Sequence, residues 1–183
     1  GHRVREIGYN QQWLAPTASM PYRYGGAVSH AVLPQAVKRA LLEAAQKLTS
    51  AVGLRGINSI DALMQGEAVY ILELNPRLTA TFDLYTAHQA QLFDLHVQAA
   101  TGKIPDGTLV NDDACAHYIV YAHTKKHIPS SFSWPDWVAD IPVDDARIET
   151  SMPICTVKAA GDTAEAAVRL MADRVKQLMT SLN

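Results

Sequence analysis

With 183 residues, 48% of them hydrophobic and 19% charged, the chain can bury a core and reads as one globular unit rather than a disordered segment. Sixteen Lys and Arg against eighteen Asp and Glu give a net charge of -2, which excludes a general electrostatic attraction to nucleic acid or to an anionic membrane surface. No apolar run reaches the roughly 18 residues that cross a bilayer, and Gly1-His2-Arg3-Val4-Arg5 leads into no signal-like apolar region, so a cytoplasmic chain is expected.

Cys115 and Cys155 stand in apolar surroundings without CxxC spacing, which points to buried thiols rather than to a disulfide or a zinc site. The chain opens on Gly1 instead of methionine, which reads as a start inside a longer protein with Gly1 a cloning remnant.

In chain order, Val4 to Tyr9 alternates weakly and is expected to be a strand, and Asn10 to Gly26, rich in Pro, Gly, Ser and Tyr, a loop. Pro34 opens a helical pattern over about 35–51: Val37, Leu41, Ala44, Ala45, Leu48 and Val52 recur at helical spacing, and Gly53 ends it. The apolar runs Gly56 to Met64 and Ala68 to Leu74, parted by Gln65-Gly66-Glu67, predict a β-hairpin that Asn75-Pro76 stops.

A second helix is expected over 82–100, with Leu84, Leu92, Leu95 and Ala99 buried and Gly102 as its C-cap; Lys103 to Asp113 reads as a polar connection. Strands are expected at Ala114 to Ala122, Arg147 to Glu149 and Ile154 to Ala159, with Pro129 to Pro142 a surface loop between them. Asp162 and Glu165 read as a capping box opening a last helix at 163–181, whose stripe is Val168, Met171, Val175, Leu178 and Leu182. No repeat or linker interrupts the chain, so the expected fold is α+β: one mainly antiparallel sheet that includes the hairpin, packed by three helices.

Within the hairpin, polar residues interrupt strands that otherwise look like core. Glu73 and Asn75 alternate onto one face of their strand, about 7 Å apart. Asp61 shares that face if the connecting loop has an odd number of residues, such as Gln65-Gly66-Glu67; a two-residue turn puts it on the other. Two carboxylates and an amide oxygen would then converge, a hard-oxygen set suited to Mg²⁺, with waters and nucleotide phosphates completing the shell. The competing structural reading makes Glu73 the ion-pair partner of Arg55 or Arg77. For Arg77 the functional alternative is a bidentate donor to phosphate or to a substrate carboxylate.

The segment Gly53-Leu54-Arg55-Gly56-Ile57-Asn58-Ser59-Ile60-Asp61, the hairpin and Glu73-Leu74-Asn75-Pro76-Arg77 together resemble the C-terminal subdomain of ATP-grasp enzymes, in particular small-molecule ligases related to D-alanine ligases and tyramine-glutamate ligases. The Tyr22-Arg23-Tyr24-Gly25-Gly26 loop, the helix after Pro34, Met152-Pro153-Ile154-Cys155-Thr156-Val157 and the final helix extend the likeness over the whole of 1–183, read as the C-terminal portion of an ATP-grasp domain whose nucleotide-gripping lysines and glycine-rich loop would lie upstream. Whether these residues are active by themselves is left open.

The resemblance implies ATP and Mg²⁺ or Mn²⁺ as cofactors. It makes Asp61, Glu73 and Asn75 the metal ligands, counts Arg5 with them as binding the nucleotide, and puts Arg77, with Arg55 as a stand-in, against the transferred phosphate or substrate. It further implies a C–N bond-forming ligase that activates a small carboxylate as an acylphosphate for capture by an amine, with no nucleic acid or membrane partner and a homodimer left open. Ser59 stands where D-alanine ligases carry a catalytic arginine, so the substrate chemistry need not follow theirs. The rival readings are a non-catalytic remnant that binds nucleotide or a partner, and a structural module in which Asp61, Glu73 and Arg77 form an ion-pair cluster.

Seven histidines offer no chelating pair: His117 and His123 stand about 20 Å apart if both lie on a strand, and His88 and His96 about 12 Å apart on the second helix. Trp134 and Trp137 are read as pins that hold a Pro-rich loop to the core. Ser29 with His30, and Asp140 with Asp144 and Asp145, lack triad or calcium-loop spacing and read as loop groups. Arg3, Arg5 and Arg23 are read as a strand-plus-loop trio that either borders the phosphate site or is scattered surface charge.

Overall fold

The computed structural model describes residues 3–103 and 113–182, the side chains of 86 and 87 excepted. Its elements run β1 (Gln11–Leu14), β2 (Tyr24–Val28), α1 (Gln35–Val52), β3 (Ser59–Gln65), β4 (Ala68–Asn75), a 3-10 segment (Ala80–His88), α2 (Gln89–Ala100), β5 (Ala114–Tyr121), β6 (Lys126–Ile128), β7 (Val138–Ala139), β8 (Ala146–Ile148), β9 (Pro153–Gly161) and α3 (Ala164–Ser181). Every described strand pair is antiparallel, as the α+β reading expects. The chain divides into two compact units, Gly1–Tyr9 with Val32–Asn111 and Asn10–Ala31 with Asp112–Asn183, so the single shared sheet does not form. The hairpin β3–β4 is a sheet of its own.

In the first unit α1 packs against β4, and Val37, Leu84, Tyr85 and Leu92 are buried. Gly53 takes the left-handed conformation (φ 66°) and donates its N–H to the Thr49 carbonyl at 2.9 Å, closing α1 where the sequence places its end. The expected helix over 82–100 is broken. Tyr85 leaves helical geometry (φ -113°, ψ 42°), and only Gln89–Ala100 is a regular α-helix. Leu84 and Tyr85 are consecutive and both buried, whereas an unbroken helix would turn the second about 100° away from the first. The strand expected over Val4–Tyr9 is also absent: these residues are irregular, with the Val4 N–H on Gln46 Oε1 and the Tyr9 ring under Lys38 of α1.

The second unit is built on a five-stranded sheet in the order β1-β2-β5-β9-β7. Packing of α3 on this sheet buries Ala116, Val120, Val157, Ala167, Met171 and Leu178. Two of its strands fall in the stretch read as loop, because a Pro- and Gly-rich composition hides the pairing: Gly26 extends to φ 146° beside the His117 carbonyl, a closeness that only a residue without Cβ allows. In the segment 129–142, Phe132, Trp134 and Trp137 do pack on the core, and Val138–Ala139 adds a short edge strand. The cap of α3 is Thr163, whose side chain accepts from the Ala166 N–H at 3.1 Å; Asp162 is not the cap, so the capping box lies out of register. Gly1 and His2, and the stretch 104–112 of the connection read at Lys103 to Asp113, lie outside the described residues.

Candidate functional site

The hairpin turns through two residues, Gly66 and Glu67, since Gln65 pairs with Ala68. In an unbroken ladder that even turn would set Asp61 against Leu72 and leave Glu73 on the other face. The ladder is broken. Pairing runs Ala62 with Ile71 and then Asp61 with Glu73, so Leu72 is an extra residue in a β-bulge. The expected odd loop is therefore wrong, yet its consequence holds by a different device: Asp61 stands directly opposite Glu73, and Ser59 directly opposite Asn75. Directly opposed residues of an antiparallel pair share a face, with Cβ atoms about 5 Å apart. Four oxygen-bearing side chains thus line the end of the hairpin away from its turn.

Burial grades across this group. Asn75 keeps 7% of its surface, Asp61 and Ser59 are half-buried, and Glu73 is exposed. Ser59 Oγ is shut off from solvent and has no hydrogen-bond partner among the described residues. A buried hydroxyl left without a partner costs about 1–3 kcal/mol, so an oxygen-rich ligand on this face would relieve it. Among the described residues no three His, Cys, Asp or Glu side chains gather to hold a metal. The protein thus offers two carboxylates and an amide, which fits a magnesium-type ion that takes its remaining ligands from water and phosphate and does not fit a closed all-protein cage.

The arginines are arranged more loosely. Arg77 follows Asn75 through a tight turn in which its N–H donates to the Asn75 carbonyl at 2.8 Å; its guanidinium is exposed and donates to the Leu78 carbonyl at 3.1 Å. Arg55 is exposed in the loop before β3. Among the described residues no ion pair joins either to Glu73, which removes the reading of Glu73 as their counter-charge. Arg5 is exposed on the irregular N-terminal segment, outside the ladder.

Arg3 and Arg5 belong to the first unit. Arg23 belongs to the second unit, where its Nε donates to the Ala15 carbonyl at 2.7 Å, a terminal nitrogen donates to the Ser151 carbonyl at 3.0 Å, and the group lies 3.7 Å over the Tyr121 ring. It is a structural clamp.

A family of ATP-grasp domains matches residues 1–81, which contain α1, the hairpin and Arg77. The matched segment and the fold are those of ATP-grasp domains. Among curated relatives, the formate-dependent phosphoribosylglycinamide formyltransferase of Sulfurovum sp. (strain NBC37-1) is 34% identical over 147 residues, covering 79% of this chain and 35% of that protein. Among solved structures, an L-amino acid ligase from Bacillus licheniformis superposes with a TM-score of 0.65 at 13% identity, over 85% of this chain and 44% of that one. Phosphoribosylglycinamide synthetase from Anaerococcus prevotii gives a TM-score of 0.65 at 11% identity, over 95% and 48%. These structural likenesses concern the fold. The chain spans about a third of the length of the Sulfurovum relative and under half of the two structures.

Two residues that sequence reading set aside gain weight from the coordinates. Ser59 has the same strand parity as Asp61, a signal already present in the sequence. His96 had none: it lies 39 residues from Ile57, whose backbone N–H it accepts.

Proposed function

We propose that the Asp61, Glu73 and Asn75 face binds a divalent metal together with the phosphates of ATP, as part of a ligase that joins a small carboxylate to an amine through an acylphosphate. The observation that supports this most directly is the Leu72 bulge, which sets Asp61 opposite Glu73 on the face of Asn75 in a chain of ATP-grasp type. Magnesium, when bound, supplies charge neutralisation and orientation of the phosphate oxygens.

The chain's own residues have three tasks in this reading. Asp61 and Glu73 bring negative charge to one face, where a divalent cation would offset it. Asn75, desolvated and neutral, fixes one oxygen without adding charge. Arg77 commits one N–H to Leu78, and the others can meet an oxyanion on the attacking carboxylate or the transferred phosphoryl group. Such a site works by positioning, with little side-chain proton transfer. The Sulfurovum relative's name specifies formate and phosphoribosylglycinamide; for this chain the corresponding class is a small carboxylate and an amine.

The test is a Mn²⁺ titration followed by electron paramagnetic resonance, with and without ATP, on the natural full-length protein carrying these 183 residues. Asp61→Asn and Asn75→Leu are each expected to weaken nucleotide-dependent Mn²⁺ binding by about tenfold or more, with the melting temperature within a few degrees of the parent. Unchanged affinity in both variants refutes the metal assignment. Tight Mn²⁺-ATP binding without carboxylate-dependent phosphate release would favour the non-catalytic nucleotide-binding reading.

A further inference from the structure

The end of the hairpin that carries the site is its open end. At the other end the Gly66-Glu67 turn holds the strands together, whereas the ladder stops at Ser59 and Asn75 with no strand pair beyond. The entry of β3 is the loop Gly53–Asn58, and a side chain from α2 reaches it. The Ile57 N–H donates to His96 Nδ1 at 3.0 Å. Gly56, at φ 72°, lies so close to the same ring that a Cβ there would come within 2.9 Å of its Cε1 and Nδ1. Phe93, one turn earlier on α2, stacks on the imidazole with ring centroids 6.4 Å apart and planes 24° apart, which limits its rotation. Within the loop, Asn58 Nδ2 donates to the Gly56 carbonyl at 2.9 Å and to the Arg55 carbonyl at 3.3 Å, so the ring grips a preformed turn.

We infer that His96 is a positioning residue for the candidate metal-nucleotide site: its Nδ1 accepts from the Ile57 amide and thereby sets the phase in which Ser59 and Asp61 enter the ladder. The inference rests on the metal reading above. The physical reason is the two-residue period of a strand. A slip by one residue at this open end moves Asp61 and Ser59 to the other face together, and the Ile57–His96 hydrogen bond opposes that slip. Because Nδ1 is the acceptor, the ring proton of the neutral imidazole is on Nε2.

The test compares two polar replacements of similar size. Asn places its amide oxygen near the position of Nδ1, whereas Gln reaches towards that of Nε2. In the full-length protein His96→Asn is expected to bind Mn²⁺ in the presence of ATP within about threefold of the parent, and His96→Gln about tenfold or more weakly, the usual scale for groups that orient metal ligands. Equal affinity of the two variants overturns the inference, as does a parent whose Ile57 amide exchanges with solvent at the rate of an unstructured chain, a measurement that needs no variant. A parent that binds no Mn²⁺ brings down the metal reading itself and is thereby distinguished from both.

Discussion

Deleting Leu72 is an informative change because the ordinary expectation and the structural one differ in sign. A one-residue deletion inside a strand usually flips every side chain beyond it to the other face and should destroy a site built on Glu73 and Asn75. Here Leu72 is the unpaired residue of the bulge, so its removal joins Ile71 to Glu73 and leaves both of their pairings, with Ala62 and Asp61, as they are. The energetic loss is small as well. Leu72 keeps 61% of its surface exposed, so the apolar burial removed is worth roughly 1 kcal/mol or less.

The control is deletion of Leu74, a regular ladder residue opposite Ile60, which would make Glu73 and Asn75 neighbours and send them to opposite faces. The leucine-72 deletion is expected to retain nucleotide-dependent Mn²⁺ binding within about threefold, and the leucine-74 deletion to lose tenfold or more, with circular dichroism reporting folding in each case. A folded leucine-72 deletion that no longer binds the metal refutes the bulge argument. So does a leucine-74 deletion that binds like the parent.

Three further outcomes follow from the same structure. Gly53→Ala meets no neighbouring atom, so its cost is the left-handed backbone alone, about 1 kcal/mol by denaturant unfolding; Gly26→Ala, whose Cβ would strike the His117 backbone carbonyl, should cost several times more or prevent folding of the second unit. Burial, reinforced by the charge of Asp140, pushes the Cys155 thiol up to about 12, so a thiol reagent at pH 8 should leave it unmodified in the native chain and label it after denaturation. Burial, a hydrogen bond to Glu6 and that carboxylate's charge raise Tyr9 to about 12. A raised folded value makes its contribution to stability complete below about pH 10 and lost as pH climbs through about 12, and an ultraviolet titration should show Tyr9 ionising late and somewhat earlier in Glu6→Gln, which leaves the burial in place.

The sequence by itself determined the local parts. Helical spacing with Gly53 behind it located α1 to within a residue at its C-terminal end, and the strand-like runs at β5 and β9 were also legible, because spacing, composition and punctuation are properties of neighbouring residues. It also singled out Asp61, Glu73 and Asn75, since carboxylates and an amide inside apolar strands stand out in any register.

Only the tertiary structure decided how those groups meet. Parity from the turn alone gave the wrong loop and would, with the true two-residue turn, have separated Asp61 from Glu73; the bulge at Leu72 is a choice of pairing between strands, and no local signal marks which residue is skipped. The division into two units, the break at Tyr85, the clamp role of Arg23 and the reach of His96 to Ile57 have the same origin. Each depends on contacts between residues far apart in the chain, whose free energy is set by packing in three dimensions and leaves no periodic trace in one.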